Sequence, residues 1–250
     1  MPSRCVNLIL ALLVAAAGAG GTVAQDLRLK SPLPVKPVVI AGEVSVIAGN
    51  SGSPVISPWF KVTRGTEPVS NLVIALNGHE LRETMPGQYA GIRITSIIPR
   101  PGMKLTFTID FPEKPTPAIG FASTARVMGT ATIGSMAAII QPSNKSSLSK
   151  KSLGKILTIS WTGGTPPFQA SLLKTTGGSP LELFSRNSIL VRTCSAPTSL
   201  LAIDNTYSAG VHHKLDTFTI RTGKNLSGMA ISSASKVVLR FSTFSAFSVH

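Results

Sequence analysis

Four histidines, His79, His212, His213 and His250, are the obvious candidates for acid–base chemistry in this 250-residue chain. Nucleophilic catalysis needs a hydroxyl or thiol held against a base that a third group orients. The nearest such grouping is His212-His213-Lys214-Leu215-Asp216. On a strand, His212 and Asp216 would share a face about 13 Å apart, too far for a hydrogen bond. A turn at residues 210–213 would instead bring them together. Adjacent histidines diverge on a strand, so the pair makes a poor metal clamp. His79-Glu80 with Glu83 lacks the second histidine of a zinc-protease helix and flanks an expected turn. No Gly-x-Ser-x-Gly elbow, Walker or dinucleotide glycine pattern occurs, and Gly163-Gly164 and Gly177-Gly178 fit strand turns. Only four of the ten carboxylates are aspartates, and no spacing marks two acids as a glycosidase pair. The expectation is a protein without enzymatic activity, metal or cofactor.

Charge gives the second signal. Lys and Arg number 24 against 10 Asp and Glu, a formal net charge of +14. Lys145, Lys150, Lys151 and Lys155 crowd into one polar loop, residues 142–155. Each lysine near an anionic membrane contributes roughly 1 kcal/mol, so these four are candidate contacts to phospholipid, phosphorylated lipid or acidic glycan. The same loop could instead be a solvated segment whose charge only aids solubility. Nucleic acid is disfavoured because no aromatics are interleaved with the basic residues.

The elements that position these residues are strands. Met103, Leu105, Phe107 and Ile109 alternate with Lys104, Thr106, Thr108 and Asp110, the period of a pleated strand with one buried face. Residues 72–76 run into Asn77-Gly78, a two-residue hairpin turn, and Pro86-Gly87 and Pro101-Gly102 mark further turns. Residues 88–98 read as one more strand. Later, Leu157, Ile159 and Trp161 share a face, and residues 168–173 return after a Gly- and Pro-rich turn. In the tail, Phe241 and Phe247 would share a face in one continuous strand, with Phe244 opposite; a closing hairpin or bulged strand is the expectation.

Before these strands, Arg4 precedes a short apolar run that ends in small residues, the grammar of a secretory signal peptide cleaved near Ala24. The run is shorter than the ~20 residues a spanning helix needs. Residues 1–24 are therefore expected to be a leader and residues 25–37 a Pro-rich approach. A first antiparallel sandwich is expected over 38–130 and a second over 135–250. With Cys5 removed in the leader, Cys194 is the one thiol left, read as a buried strand residue that could otherwise join another chain.

The stretch Leu157-Thr158-Ile159-Ser160-Trp161-Thr162-Gly163-Gly164-Thr165-Pro166-Pro167 resembles the tryptophan strand and following turn of fibronectin type III and related immunoglobulin-like modules. Glu67 to Asn71, Leu76-Asn77-Gly78, Gly87-Gln88-Tyr89 and Pro101 to Leu105 are similar to carboxypeptidase-regulatory or transthyretin-like domains of exported bacterial proteins. The resemblance implies two tandem immunoglobulin-like sandwiches serving adhesion, protein or carbohydrate binding, or scaffolding. It assigns no site residue.

The sequence thus predicts an exported, periplasmic or cell-surface binding or structural protein whose partner is an envelope protein or glycan. One rival is a polyanion binder acting through Lys145, Lys150, Lys151 and Lys155. The other is an envelope-polymer hydrolase with His212 and Asp216 in its site.

Overall fold

A computed structural model describes residues 36–49, 53–91, 93–112, 125–177, 179–222 and 230–250. The expected leader, and all of the Pro-rich approach before Lys36, lie outside the described residues. The strands are β1 (Val38–Ala48), β2 (Val55–Arg64), β3 (Glu67–Pro68), β4 (Val73–Leu76), β5 (His79–Glu80) and β6 (Arg82–Met85). Then follow β7 (Gln88–Ala90), β8 (Lys104–Phe111), β9 (Ala125–Thr132), β10 (Ala138–Gln141), β11 (Ser146–Leu148) and β12 (Ile156–Thr162). The rest are β13 (Phe168–Lys174), β14 (Leu181–Ile189), β15 (Thr193–Pro197), β16 (Asn205–Thr217), β17 (Thr219–Thr222) and β18 (Lys236–Val249). The described chain is all-β, with a single 3-10 turn at Thr198–Leu200.

Alternation dictates the strands. In β8, Leu105, Phe107, Ile109 and Phe111 are buried while the residues between them face outward, and Met103 packs against the same core. Asn77 and Gly78 both take positive φ, 46° and 83°, as a tight hairpin turn requires. The Asn77 side chain and backbone also bond Thr106 of β8, each at 2.7 Å, so the turn is fastened to its neighbour strand.

Among the described residues three sheets result. The largest has ten strands in the order β14-β13-β16-β18-β1-β2-β7-β6, with β11 beside β18 and β3 beside β2. A three-stranded sheet, β10-β12-β15, and a five-stranded sheet, β17-β9-β8-β4-β5, face it. Ring contacts mark where they meet: Phe107 lies 5.0 Å from Phe60 and 5.3 Å from Phe218, and Trp161 lies 5.2 Å from Phe168. The buried faces are continuous across the large sheet, since buried Val44 and Val46 of β1 pair with buried Leu239 and Phe241 of β18. This is the layered packing that apolar alternation demands.

The large sheet draws on both sides of the boundary expected near residues 130–135. β1 pairs in parallel with β18 over eight residues, from Ala41↔Lys236 to Ala48↔Thr243. β17 pairs with β9 of the earlier segment. The stretch Lys36–His250 forms one compact unit.

Some local expectations shift. Among the described residues of 88–98 the one strand is the short β7; Ile94 forms a single bridge to Ile56, and Ile94 and Ile97 are buried within a non-strand segment. The tail is one fourteen-residue strand, β18, with Phe241 and Phe247 buried and Phe244 on the opposite face. The loop 142–155 contains β11, which pairs in parallel with the end of β18.

Candidate functional site

His212 and His213 sit in β16, an inner strand of the large sheet between β13 and β18, and strand alternation sends them to opposite faces. His213 points into the core between Phe168 and Phe241, each 5.5 Å away, and its Nδ1 lies 3.3 Å from the Lys214 carbonyl oxygen. His212 points outward. Its Nε2 is 3.2 Å from Ser171 Oγ on β13, its Nδ1 is 2.8 Å from Ser242 Oγ on β18, and its ring meets Phe244 edge-on at 5.3 Å. Gly210 makes this arrangement possible, because a Cβ there would come within 2.6 Å of Ser171 Oγ.

The third member of a catalytic grouping does not come near. β16 runs straight through residues 210–213, so the turn that would unite His212 with Asp216 is absent. Asp216, beyond a bulge between Lys214 and Asp216, accepts hydrogen bonds from the backbone N–H groups of Thr132 at 2.8 Å and Thr217 at 2.7 Å. It fastens β16 to β9. Ser171 is only 2% exposed, so its hydroxyl has no approach for a substrate.

Both imidazoles are held below their ordinary pKa, chiefly by burial, which disfavours the charged form; Arg240 adds to this at His212. The unfolded chain therefore takes up these protons more readily than the native one. Stability is complete above the ordinary histidine pKa of about 6.5 and declines as pH falls through it. Melting temperatures are expected to drop between about pH 7.5 and about pH 5.5, and less steeply in His213→Phe. A pH-independent melting temperature in that window would refute this role for the pair.

The other sequence candidates are also built into turns and edges. Glu83 accepts the N–H of Asn71 at 3.0 Å and of Gly87 at 2.7 Å, clamping two turns, and the Asn71 bond does most to lower its pKa. His79 is exposed, with its ring 3.2 Å from Ser96 Oγ. Lys145 occupies a positive-φ turn position, and Lys150 Nζ donates to the Leu201 carbonyl at 2.6 Å. Lys151 and Lys155 stand exposed. Cys194 is buried in β15 opposite Ile159, where burial pushes its thiol pKa up. Among the described residues no three of His, Cys, Asp and Glu gather as a metal cluster.

The outer face of the large sheet carries functional candidates that no motif in the sequence marks. There Trp59, 41% exposed, stands beside Ala90 of β7 and Glu43 of β1. Glu43 Oε2 pairs with Arg240 Nε at 2.9 Å, and its Oε1 accepts the Ser45 hydroxyl at 2.7 Å. A hollow of about 280 Å³ on one side is lined by Gln169, Asn187, His212, Lys214, Lys236 and Arg240 among others. At the β6–β7 edge, where the large sheet meets β5 of the five-stranded sheet, a second hollow of about 330 Å³ is lined by His79, Glu80, Arg82, Ala90, Arg93 and Ser96 among others. The available signal was alternation in β2: Pro58, Phe60 and Val62 turn inward, which leaves Trp59 and Lys61 facing out. The chain matches no protein-family model, and no curated protein matches it.

Proposed function

We propose that this is an exported, non-enzymatic binding or structural protein of the cell envelope, built on immunoglobulin-like sandwich packing whose two halves share one large sheet. The observation that carries the reading is where the reactive side chains go. His212 is engaged by Ser171 and Ser242, Asp216 by Thr132 and Thr217, and Glu83 by Asn71 and Gly87. These groups fasten strands and turns to one another, and what they leave open to solvent is broad sheet surface.

The immunoglobulin-like character is supported by Tyr207, three residues into β16. Its hydroxyl donates to the Ala202 carbonyl at 3.1 Å and accepts the Ala202 N–H at 2.6 Å, the tyrosine-corner arrangement of such sandwiches. Tyr89 of the earlier segment also bonds backbone through its hydroxyl, but to Val69 and Leu72, 20 and 17 residues earlier, which ties β7 to the β3–β4 connection rather than forming such a corner. Fractionation with N-terminal sequencing tests the proposal. It predicts a chain beginning near residue 25, found outside the cytoplasm and cross-linked there to an envelope protein or glycan. An unprocessed chain confined to the cytoplasm would overturn it.

A further inference from the structure

We propose that the outer face of the ten-stranded sheet, with Trp59 between the basic hollow on β16 and β18 and the arginines at the β6–β7 edge, binds an acidic polysaccharide. The inference deepens the envelope-binding reading and rests on it. Ladder register fixes the geometry. Arg82 of β6 pairs with Ala90 of β7, Ala90 with Trp59 of β2, Trp59 with Glu43 of β1, and Glu43 with Val238 of β18. In the neighbouring row, Arg240 pairs with Lys214 of β16. From β6 to β16 is five strand spacings, about 24 Å, a track long enough for several sugar residues.

Each component suits a sugar polymer carrying carboxylates. An exposed indole flanked by a small residue, Ala90, offers a flat apolar platform for the face of a pyranose ring. Arg82 and Arg93 on one side, and Lys214 and Lys236 on the other, supply cations for repeated negative charges, while Arg240 is paired with Glu43. Gln169 and Asn187 add amide groups for hydroxyls. The Glu43 carboxylate, in the ladder position beside Trp59, is held by Arg240 at 2.9 Å and by the Ser45 hydroxyl at 2.7 Å, so its charge is offset where the polymer would cross it. Single-stranded nucleic acid calls for a run of stacking aromatics, and this row holds only Trp59.

The test titrates the purified protein with sodium polygalacturonate, with dextran as the uncharged control and single-stranded DNA as the alternative polyanion. Trp59 is exposed and Trp161 buried, so intrinsic fluorescence reports on the platform itself. Polygalacturonate should change the emission, bind more weakly as salt rises, and outcompete DNA by about tenfold or more at equal ionic strength. Trp59→Ala should abolish the fluorescence response and weaken binding, measured calorimetrically, by about tenfold. Lys214→Gln with Lys236→Gln should weaken it comparably and flatten the salt dependence. All three side chains are exposed, so melting curves should stay close to wild type and loss of binding will not reflect unfolding.

Four results would overturn the proposal: no binding of polygalacturonate, equal binding of dextran, equal or tighter binding of DNA, or unchanged affinity in both variants. So would a loss caused instead by Lys151→Gln with Lys155→Gln. If these titrations fail while intact cells still yield a processed chain cross-linked to an envelope partner, only the site assignment falls. A cytoplasmic, unprocessed chain removes the broader reading regardless of the titrations.

Discussion

Gly129→Ala is expected to lower stability by about 3 kcal/mol, a severe effect for one added methyl group. Gly129 of β9 lies directly across the ladder from Phe107 of β8, and the Phe107 ring covers the glycine. A Cβ at residue 129 would coincide with the ring edge, at atoms Cε1 and Cζ. The ring cannot swing away freely, because it is packed against Phe60 and Phe218. For a chain of this size the melting temperature should fall by about 10 °C. Gly134→Ala is the control: its nearest neighbour would be the Leu215 carbonyl oxygen at 3.7 Å, an ordinary contact, and it should melt near wild type. Phe107→Ala alone should cost about 3–5 kcal/mol by leaving a cavity. In that background the added methyl at residue 129 has room, so the two substitutions together should cost less than their sum. Strict additivity would contradict the ring-over-glycine account.

The second large effect concerns the union of the two halves. A chain of residues 36–134 alone is expected not to fold, although it holds nine strands and an apolar content ample for a small domain. Without β18, the backbone of β1 from Ala41 to Ala48 loses its parallel partner. Buried Val44 and Val46 then lose the company of Leu239 and Phe241 on the shared face. β9 loses β17, and Phe107 loses Phe218. The result is a long, flat, apolar edge, the feature that drives strand aggregation.

Local features were legible in the sequence, and long-range pairings were not. Alternation placed Leu105, Phe107 and Ile109 inward, Asn77-Gly78 specified its turn, and Leu157, Ile159 and Trp161 share a buried face as read. These signals are written in neighbouring residues. The destination of Asp216 is not, since its partner Thr132 lies 84 residues earlier. Nor does alternation say which strand lies beside which: β1 and β18 both show one apolar face, but nothing local announces that they pair across nearly the whole chain. Residues 88–98 misled for a related reason. Their β-branched isoleucines favour a strand by residue type, yet Ile94 and Ile97, three apart, both plug the core from a non-strand segment. At the candidate site, the divergence of His212 and His213 followed directly from strand geometry. The surface around Trp59 was hidden because it is assembled from β6, β7, β2, β1, β18 and β16, no two of whose contributions stand together in the sequence.

The junction between β1 and β18 is the centre of this account, and an amide correlation spectrum of isotopically labelled residues 36–134, taken alone and after adding residues 135–250, tests it most directly. The account predicts collapsed amide dispersion for the fragment alone. Dispersed signals should appear on mixing, with contacts between Ser45 and Arg240 and between Ile47 and Ser242. A fragment that gives a fully dispersed spectrum by itself and is unchanged by its complement would contradict it.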